Sequence, residues 1–499
     1  MKPLPFLGGG TRGKSTQTTA QRILNVYLEA RPDGDKGTKV VAYGTPGMLE
    51  QFEISPTLPA PIRGLMGTPA SLYAISGSTF YQLTAGGAQD FAGTLNSTSG
   101  YASLSYSPTQ VLVADGVNGY LFNGSALSVI GASFPNGART LTYVSTFFVA
   151  EQPGTQNFWV SNEEDGSTWG GTAFAAASAY SDNILAVDNL AGNLIIFSLR
   201  HMEFWQDVGS TPQPFAPIVS AANGWGLAAL FSRVHLNNAA GAECIFFLGL
   251  SKGGQVQVCM LSGYQVSVVS TPDIDSIING DSDVPGFTVT SDAVALSYQV
   301  GAHSFYQITF PTADRSFLLD TSTGKWSEVQ SGLTTKYATR HKANLSTLFG
   351  GQTPVSDATS SVLYTMSPST YTDAGSTIER EIVTRHAIES GDEFCVDELF
   401  LDFELGQGPS KLSGQNQPQV MLQISRDSGH TWEDEQWCPM GYQGEYGRDG
   451  NRVAWQRLGS GRVFTAKIRM TDPYKFALTY GALSVRQMRP QSGISQAGR

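Results

Sequence analysis

The strongest constraint on the fold is a pattern that recurs between about residues 65 and 370. A short apolar strand is followed by a turn rich in Gly, Asn or Asp and then by a second apolar strand, which is typical of a β-hairpin. The pattern occurs at 71–83, 111–122, 147–160, 193–205, 244–261, 305–320 and 345–366. Such a series predicts a β-propeller. We expect six or seven blades, since the N-terminal arm can donate a closing strand.

The pattern changes at about residue 375. In 396–405, Leu399, Leu401, Phe403 and Leu405 alternate with polar residues, and 463–470 alternates in the same way. Alternation with a period of two predicts antiparallel strands that have one solvated face, and hence a C-terminal β-sandwich. We therefore expect an all-β chain with an N-terminal arm and first strand over 1–60, a β-propeller over 61–372 and a β-sandwich over 373–499. The one helical turn is expected at 273–278.

Charge narrows the possible functions. The chain has 31 Lys and Arg against 42 Asp and Glu, a net charge of −11. Residues 1–442 carry −18 and residues 443–499 carry +7. An acidic body repels nucleic acid at long range, so this balance excludes a protein that reads DNA sequence but leaves open one that conducts DNA. The sequence also lacks an apolar run of about 18 residues, so we expect no membrane insertion.

The sequence predicts no metal site and no cofactor. The four cysteines form no CxxC pair, and the six histidines show no zinc-site spacing. Residues 8–15 do satisfy the phosphate-binding pattern GxxxxGK[ST]. That loop requires a preceding buried strand and a following helix, whereas here two prolines lie in the seven residues before it and no β-α-β pattern follows. We interpret the segment as a Gly-rich arm.

A second motif, residues 425–432, resembles the Asp-box turn of sialidases and other β-propellers. Its residues are Ser425, Asp427, Gly429, Thr431 and Trp432. Asp427 can accept backbone N–H bonds, Gly429 permits a positive φ, and Trp432 is expected to anchor the turn on the core. We interpret the motif as a structural turn. Weaker versions lie at 161–169 and 320–326.

We expect no catalytic residues. A sialidase-like site needs a cluster of arginines, but 65–370 holds only five. The pair Glu163 and Glu164 is typical of a solvated turn, and we interpret His201, near Glu203, as a blade residue. The serine-hydrolase pattern GxSxG is absent.

The basic C-terminal region has two interpretations that the sequence leaves open. One is a solvated strand face, and the other is a protein interface that meets the acidic body of a neighbouring subunit. The candidate interface residues are Arg448, Arg452, Arg457, Arg462, Lys467 and Arg469.

The order of several segments resembles the packaged-DNA stabilisation proteins of short-tailed bacteriophages, also called tail hub or nozzle proteins. The resemblance covers about residues 20–490, and the ordered series is more specific than any one motif. Two departures are Leu28, where a proline is common, and Leu319, where an aromatic residue is common. The matching segments are 21–30, 165–184, 194–218, 310–328, 426–432, 444–459 and 464–473.

The resemblance implies a virion protein of the tail that is assembled in the host bacterial cytoplasm. It would form a homohexameric ring below the portal and its adaptor, extend the DNA channel and retain the packaged genome until ejection. Its partners would be the portal-adaptor protein, a tail needle or plug, and tail fibres or tailspikes. Double-stranded DNA would pass through without sequence-specific binding. The alternative is a propeller glycosidase or a carbohydrate-binding module that acts on host surface sugars.

Overall fold

The computed structural model describes residues 2–3, 21–32, 38–55, 60–84, 89–131, 133–238, 240–281, 285–333, 340–386, 388–404, 406–443 and 452–487. Contacts divide the chain into two compact units. The propeller unit comprises Met48–Gly324 and Arg340–Ser367, and the sandwich unit comprises Met1–Gly47, Lys325–Thr339 and Pro368–Arg499. Nearly all elements in the described ranges are strands, as expected. The exceptions are an α-helix at Pro272–Asn279 and 3-10 turns at Val219–Ala221 and Lys411–Ser413.

The strands of the propeller unit form consecutive antiparallel sheets, numbered here in chain order. Sheet 1 holds Ile62–Gly67, Ser71–Ser76, Thr79–Thr84 and Gln89–Thr94. Sheet 2 holds Ser103–Tyr106, Val111–Ala114, Gly119–Phe122 and Leu127–Val129. Sheet 3 holds Leu141–Val144, Phe147–Glu151, Asn157–Asn162 and Asp165–Ala176. Sheet 4 holds Ile184–Leu190, Asn193–Ser198, Met202–Asp207 and Phe215–Pro217.

Three further sets complete the described part of this unit. Sheet 5 holds Gly226–Leu227, Val234–Asn237, Glu243–Leu250, Val256–Ser262 and Gln265–Val268. Sheet 6 is the antiparallel set Val294–Val300, His303–Phe310 and Arg315–Asp320. Sheet 7 holds Ala343–Ser346, Pro354–Asp357, Val362–Ser367 and the N-terminal strand Gly47–Glu53. Six of the sets are separate sheets, and sheet 6 is the additional set, so the prediction of a propeller with six or seven blades is confirmed.

The closing strand of sheet 7 comes from the N-terminal part of the chain, as we expected. Ile54 N donates to Ser361 O at 2.9 Å, and Ser361 Oγ donates to Glu53 Oε1 at 3.0 Å. A strand from one end of the sequence thereby completes a sheet made at the other end. This closure joins residues that are 308 positions apart.

Neighbouring sheets pack through buried apolar side chains. Tyr73 and Phe80 of sheet 1 contact Phe122 of sheet 2, with ring centroids 5.8 and 5.4 Å apart. Burial of one such side chain stabilises the fold by about 1.5–3 kcal/mol. The hairpins predicted at 71–83 and 111–122 therefore bury apolar residues against one another.

The sandwich unit contains strands from three separated stretches of sequence. Arg22–Leu24 pairs antiparallel with Arg380–Val383, and Thr38–Gly44 pairs with Ala477–Gln487. The remaining strands are Lys2–Pro3, Val26–Pro32, Lys325–Glu328, Thr372–Asp373, Ser376–Thr377, Ile388–Phe403, Gln419–Ser425, Gln436–Pro439, Arg452–Gln456 and Ser460–Met470. The described strands of the N-terminal arm before residue 45 thus belong to the sandwich unit. The domain boundaries at 60 and 372 stay a prediction.

The alternation seen in the sequence sets the sandwich core. Leu399, Leu401 and Phe403 are buried, and so are the inward residues of Ser460–Met470. Asp402 and Glu404, on the other face of the strand, are half-buried. Leu405 lies outside the described residues.

Candidate functional site

The Asp-box-like turn at 425–432 is closed by its own side chains. Ser425 Oγ donates to Asp427 Oδ1 at 2.7 Å, and Gly429 N donates to Ser425 Oγ at 2.7 Å. Thr431 donates to Asp427 twice, from its backbone N at 2.8 Å and from its Oγ1 at 2.6 Å. The Thr431 hydrogen bonds are the main reason that the pKa of Asp427 falls to about 2. Both carboxylate oxygens of Asp427 accept hydrogen bonds within the turn, which fits a structural role.

The prediction that Trp432 anchors this turn on the core is wrong. Trp432 is half-buried and is not part of the described sandwich core. Its ring lies 4.0 Å from Lys467 Nζ, a distance typical of a cation–π contact. Arg426 fixes the turn instead, because its Nη1 donates to Ser460 O at 2.6 Å and its Nη2 donates to Leu458 O.

The weaker versions of the motif differ in detail. At 161–169, Asp165 Oδ1 accepts from Ser167 N at 2.9 Å, and the buried Trp169 packs edge-on against Phe134. In the third turn, Asp320 accepts from Ser322 N at 2.9 Å and contacts His303 Nδ1 at 2.7 Å. Both aspartates therefore stabilise turns, as the sequence suggested.

The basic residues of the C-terminal region fall into two groups. Arg452 pairs with Asp402 at 3.0 Å, Arg469 pairs with Glu379 at 2.8 Å, and Lys467 lies over Trp432. Arg457 and Arg462 are exposed and form no ion pair within the described ranges. Arg448 lies outside those ranges, as does the Gly-rich segment 8–15. The solvated-face and interface interpretations of this region both stay predictions.

The segment 21–30, which carries part of the resemblance, locks an N-terminal strand into the sandwich unit. The half-buried Arg22 guanidinium contacts the buried carboxylates of Glu328 at 2.9 Å and Glu381 at 3.1 Å. Burial opposes its charge, but the two carboxylates outweigh burial and raise the pKa of Arg22 above its ordinary value. An ion pair of this kind is costly to break, because removal of one partner leaves buried charge behind.

Asn25 ends the same strand with a positive φ of 51°. Its Nδ2 donates to Glu379 O at 2.7 Å and to Gln330 O at 3.0 Å, while its Oδ1 accepts from Gln330 N at 2.9 Å. Asparagine tolerates the left-handed conformation better than most residues and offers both a donor and an acceptor. Segment 21–30 stands out in the sequence because of its resemblance, but the sequence does not indicate that Gln330 and Glu379, more than 300 positions away, are the partners of Asn25.

A polar cluster that the sequence did not indicate lines a cavity of about 780 Å³ in the propeller unit. The cavity is bordered by the first strands of several sheets, which is where the centre of a propeller lies. Asp188 contacts Arg233 at 2.7 Å and His235 Nε2 at 3.0 Å, and His235 Nδ1 contacts Glu243 at 3.1 Å. These residues come from strands about 45 positions apart, so no short motif could have revealed them.

Asp188 and His235 of this cluster are both ionised at neutral pH. Burial opposes the charge of Asp188, but Arg233 and His235 outweigh burial and lower the pKa of Asp188 to about 2. Burial likewise opposes the charge of His235, and Asp188 with Glu243 outweighs it, which raises the pKa of His235 to about 9. The positive and negative groups neutralise one another, so the arrangement is a structural cross-link between sheets 4 and 5.

A second buried acid, Glu151, has a different environment. Its carboxylate accepts from Arg139 N at 2.7 Å and from Thr140 Oγ1 at 2.7 Å. Burial is the largest effect and raises the pKa of Glu151 to about 7 despite these hydrogen bonds. Thr140 Oγ1 also accepts from Val187 N at 3.1 Å, so Glu151 and Thr140 together connect sheet 3 to sheet 4.

Glu163, Glu164 and His201, the catalytic candidates considered from the sequence, lie on a solvated turn or in contacts that stabilise the fold. Glu163 and Glu164 are exposed on a turn. His201 stacks on Tyr180 with ring centroids 3.6 Å apart, and its Nδ1 contacts Asp182 at 3.0 Å. In the described part of the chain, no group of three or more His, Cys, Asp or Glu side chains could hold a metal ion. No helix among the described residues is long and apolar enough to cross a membrane.

Two family models match the chain in sequence. The model described as bacteriophage P22 Gp10, beta-propeller, matches residues 4–371, and the model described as bacteriophage P22 Gp10, beta-sandwich, matches residues 379–486. No curated protein sequence matches the chain.

Three solved structures to which the chain is similar are distant from it in sequence. YCF48 bound to D1 peptide has a TM-score of 0.36 at 12% identity and covers 65% of this chain and 98% of its own. The extracellular domain of the putative one component system BT4673 from B. thetaiotaomicron has a TM-score of 0.41 at 7% identity, with coverages of 85% and 56%. The WD40 beta propeller domain of Doa1 has a TM-score of 0.37 at 7% identity, with coverages of 65% and 96%. Because the identities and TM-scores are this low, the functions of these proteins say nothing about the function of this chain.

Proposed function

Because the chain belongs to the bacteriophage P22 Gp10 family and is a phage structural protein, we propose that it is the hub or nozzle of a short tail. It forms a ring below the portal and adaptor, extends the DNA channel and retains the packaged genome until ejection. The observation that carries this proposal is the presence of both family domains over nearly the whole chain.

The distribution of charge supports a channel role. The propeller unit holds 21 Asp and Glu against 8 Lys and Arg, so most of the negative charge lies there. Acidic surfaces repel phosphate groups, so DNA can slide past such a wall without being held by it. Arg63, one of the eight cations, is buried and donates to backbone carbonyls such as Ser97 O at 2.8 Å.

The proposed partners follow from the role. They are further copies of the chain in a hexameric ring, the portal-adaptor protein, a needle or plug that closes the exit, and tail fibres or tailspikes. The protein is assembled in the bacterial cytoplasm and functions in the virion tail. Retention of DNA requires a closed wall rather than a reaction, so the proposal needs no enzymatic activity, no cofactor and no metal.

Cryo-electron microscopy of virion tails tests the proposal. The result we expect is six copies of this propeller and sandwich around the DNA path, directly below the adaptor. Density for the chain as a peripheral appendage, away from that path, would contradict the hub role. Robust turnover of fluorogenic sialosides by the purified chain would contradict the non-enzymatic role.

A further inference from the structure

One side of the propeller unit carries an exposed apolar patch that the proposed function has not yet used. Sheet 4 contributes Leu199, and the 3-10 turn that follows sheet 4 contributes Val219, which is 82% exposed. Sheet 5 contributes Tyr264, while Trp225 lies on the segment that enters sheet 5. We call these four side chains the sheet 4/5 patch.

Two side chains of the sheet 4/5 patch, Trp225 and Tyr264, border a recess. Trp225, Tyr264 and the turn at 220–223 line a cavity of about 380 Å³. The Leu199 carbonyl lies against Gly226, where a Cβ would collide with it. The recess can accept one partner side chain, and Trp and Tyr are the residues that most often dominate binding energy at protein interfaces.

Two cations border the patch. Arg200 is exposed next to Leu199, and the Lys252 side chain lies across Gly224, where a Cβ would collide with it. Neither cation forms an ion pair within the described ranges, and Asp182, which accepts from Arg200 N at 2.8 Å, is engaged with His201. Only 8 Lys and Arg occur in the propeller unit, so two unpaired cations beside one apolar patch form a distinct feature. A partner should present an apolar side chain beside a carboxylate.

The same chain offers such a surface elsewhere. In the closing strand of sheet 7, the five residues from Leu49 to Glu53 are all exposed. Leu49 is 47% exposed and Phe52 is 38% exposed, and Glu50 and Glu53 lie beside them. We call these five residues the sheet 7 strip. The hydrogen bond from Ser361 Oγ to Glu53 Oε1 fixes the strip on the propeller unit. Because successive side chains of a strand point to opposite faces, Leu49 and Glu53 lie on one face of the strip, and Glu50 and Phe52 lie on the other.

We propose that the sheet 7 strip of one copy docks on the sheet 4/5 patch of a neighbouring copy. This inference rests on the proposed function and names the contact between adjacent subunits. The two surfaces differ, so the interface is heterologous, and repetition of a heterologous contact generates a ring when the rotation closes. The apolar side chains provide the buried area, and the cations and carboxylates set the register.

A charge exchange tests the contact on the full chain. The patch variant carries Arg200→Glu and Lys252→Glu, and the strip variant carries Glu50→Lys and Glu53→Lys. Each variant alone places like charges at the interface, so its self-association, measured by analytical ultracentrifugation, should weaken by at least about tenfold. An equal mixture pairs each reversed surface with its complement and should recover association close to the wild type. Variants that associate normally, or a mixture that does not recover, would overturn the proposal.

Cysteine cross-linking of assembled tails decides the question even if the isolated chain stays monomeric. Leu49→Cys together with Val219→Cys should form disulfide-linked ladders between neighbouring subunits. Each single variant is a control for the native cysteines, and Val129→Cys, an exposed position in sheet 2, replaces Val219→Cys as the matched control. Rings without the expected cross-link would overturn the docking contact and leave the proposed function intact. Tails without rings would overturn the proposed function and this contact with it.

Discussion

Asn25 and Gln330 exchange two hydrogen bonds although they lie 305 positions apart in the sequence. Asn25 Nδ2 donates to Gln330 O at 3.0 Å, and Gln330 N donates to Asn25 Oδ1 at 2.9 Å. One side chain thus reproduces the hydrogen bonding of a strand neighbour at a point where the backbone turns with a positive φ. The N-terminal strand is held in the sandwich unit by this pair and by the nearby Arg22 ion pairs.

Replacement of Asn25 tests the first part of this anchorage. In Asn25→Ala, buried backbone groups of Gln330 and Glu379 lose their partners and an alanine occupies a left-handed conformation. We expect the free energy of unfolding to fall by about 2–4 kcal/mol. Asn25→Gly removes the same hydrogen bonds but relieves the backbone strain, so its loss should be smaller. Urea unfolding of the full chain measures both, and equal stability of wild type and Asn25→Ala would contradict the assignment.

Replacement of Arg22 tests the ion pairs. Arg22→Met leaves the carboxylates of Glu328 and Glu381 buried without their cation, and we expect a loss of about 3–5 kcal/mol. The matched control is Arg452→Met, since Arg452 pairs with Asp402 on an exposed strand face. That substitution should cost less than about 1 kcal/mol. Similar losses for the two variants in thermal unfolding would show that Arg22 has no special role.

We expect the stability of the propeller unit to depend on pH, because the pKa values of Glu151, His235 and Asp188 are shifted in the folded state. The pKa of Glu151 is raised from 4.5 to about 7, and that of His235 is raised from 6.5 to about 9. Between the unfolded and folded pKa values of each group, the folded state binds more protons than the unfolded state. The free energy of unfolding therefore falls as pH rises from 4.5 to about 7 for Glu151 and from 6.5 to about 9 for His235. The pKa of Asp188 is lowered from 3.8 to about 2, so stability also falls as pH drops through that range.

We therefore expect greatest stability near about pH 4–5 and a continuous decline toward pH 9. Glu151→Gln should flatten the decline below about pH 7, and His235→Gln should flatten it above about pH 6.5. Melting temperatures measured across this range check the prediction. A melting temperature that rises between pH 5 and pH 9 would have the wrong sign.

The Asp-box-like turn should behave as a structural element. Asp427→Ala removes the acceptor of both Thr431 hydrogen bonds, so we expect the turn to loosen, with faster amide hydrogen exchange at residues 428–431. Arg426 stays anchored to Leu458 and Ser460, so the rest of the sandwich should keep its protection. Unchanged exchange throughout the turn would show that Asp427 does not close it.

The sequence predicted those parts of the fold that depend on neighbouring residues. Each hairpin, such as 71–83 or 111–122, contains both of its strands and its turn, so its period and turn residues were enough. The partners of Arg22 and Asn25, and the cluster of Asp188, Arg233 and His235, depend on which distant strands meet. The position of Trp432 was wrong for a related reason, because the lysine that contacts its ring lies on a strand 35 positions away.

The central claim is that the protein retains packaged DNA as part of the tail. The most direct measurement compares the nuclease sensitivity of the genome in particles assembled with and without this chain. We expect particles that lack it to package DNA and then lose it, with protection restored when the purified protein is added. Full protection of the genome in particles that lack the chain would contradict the claim.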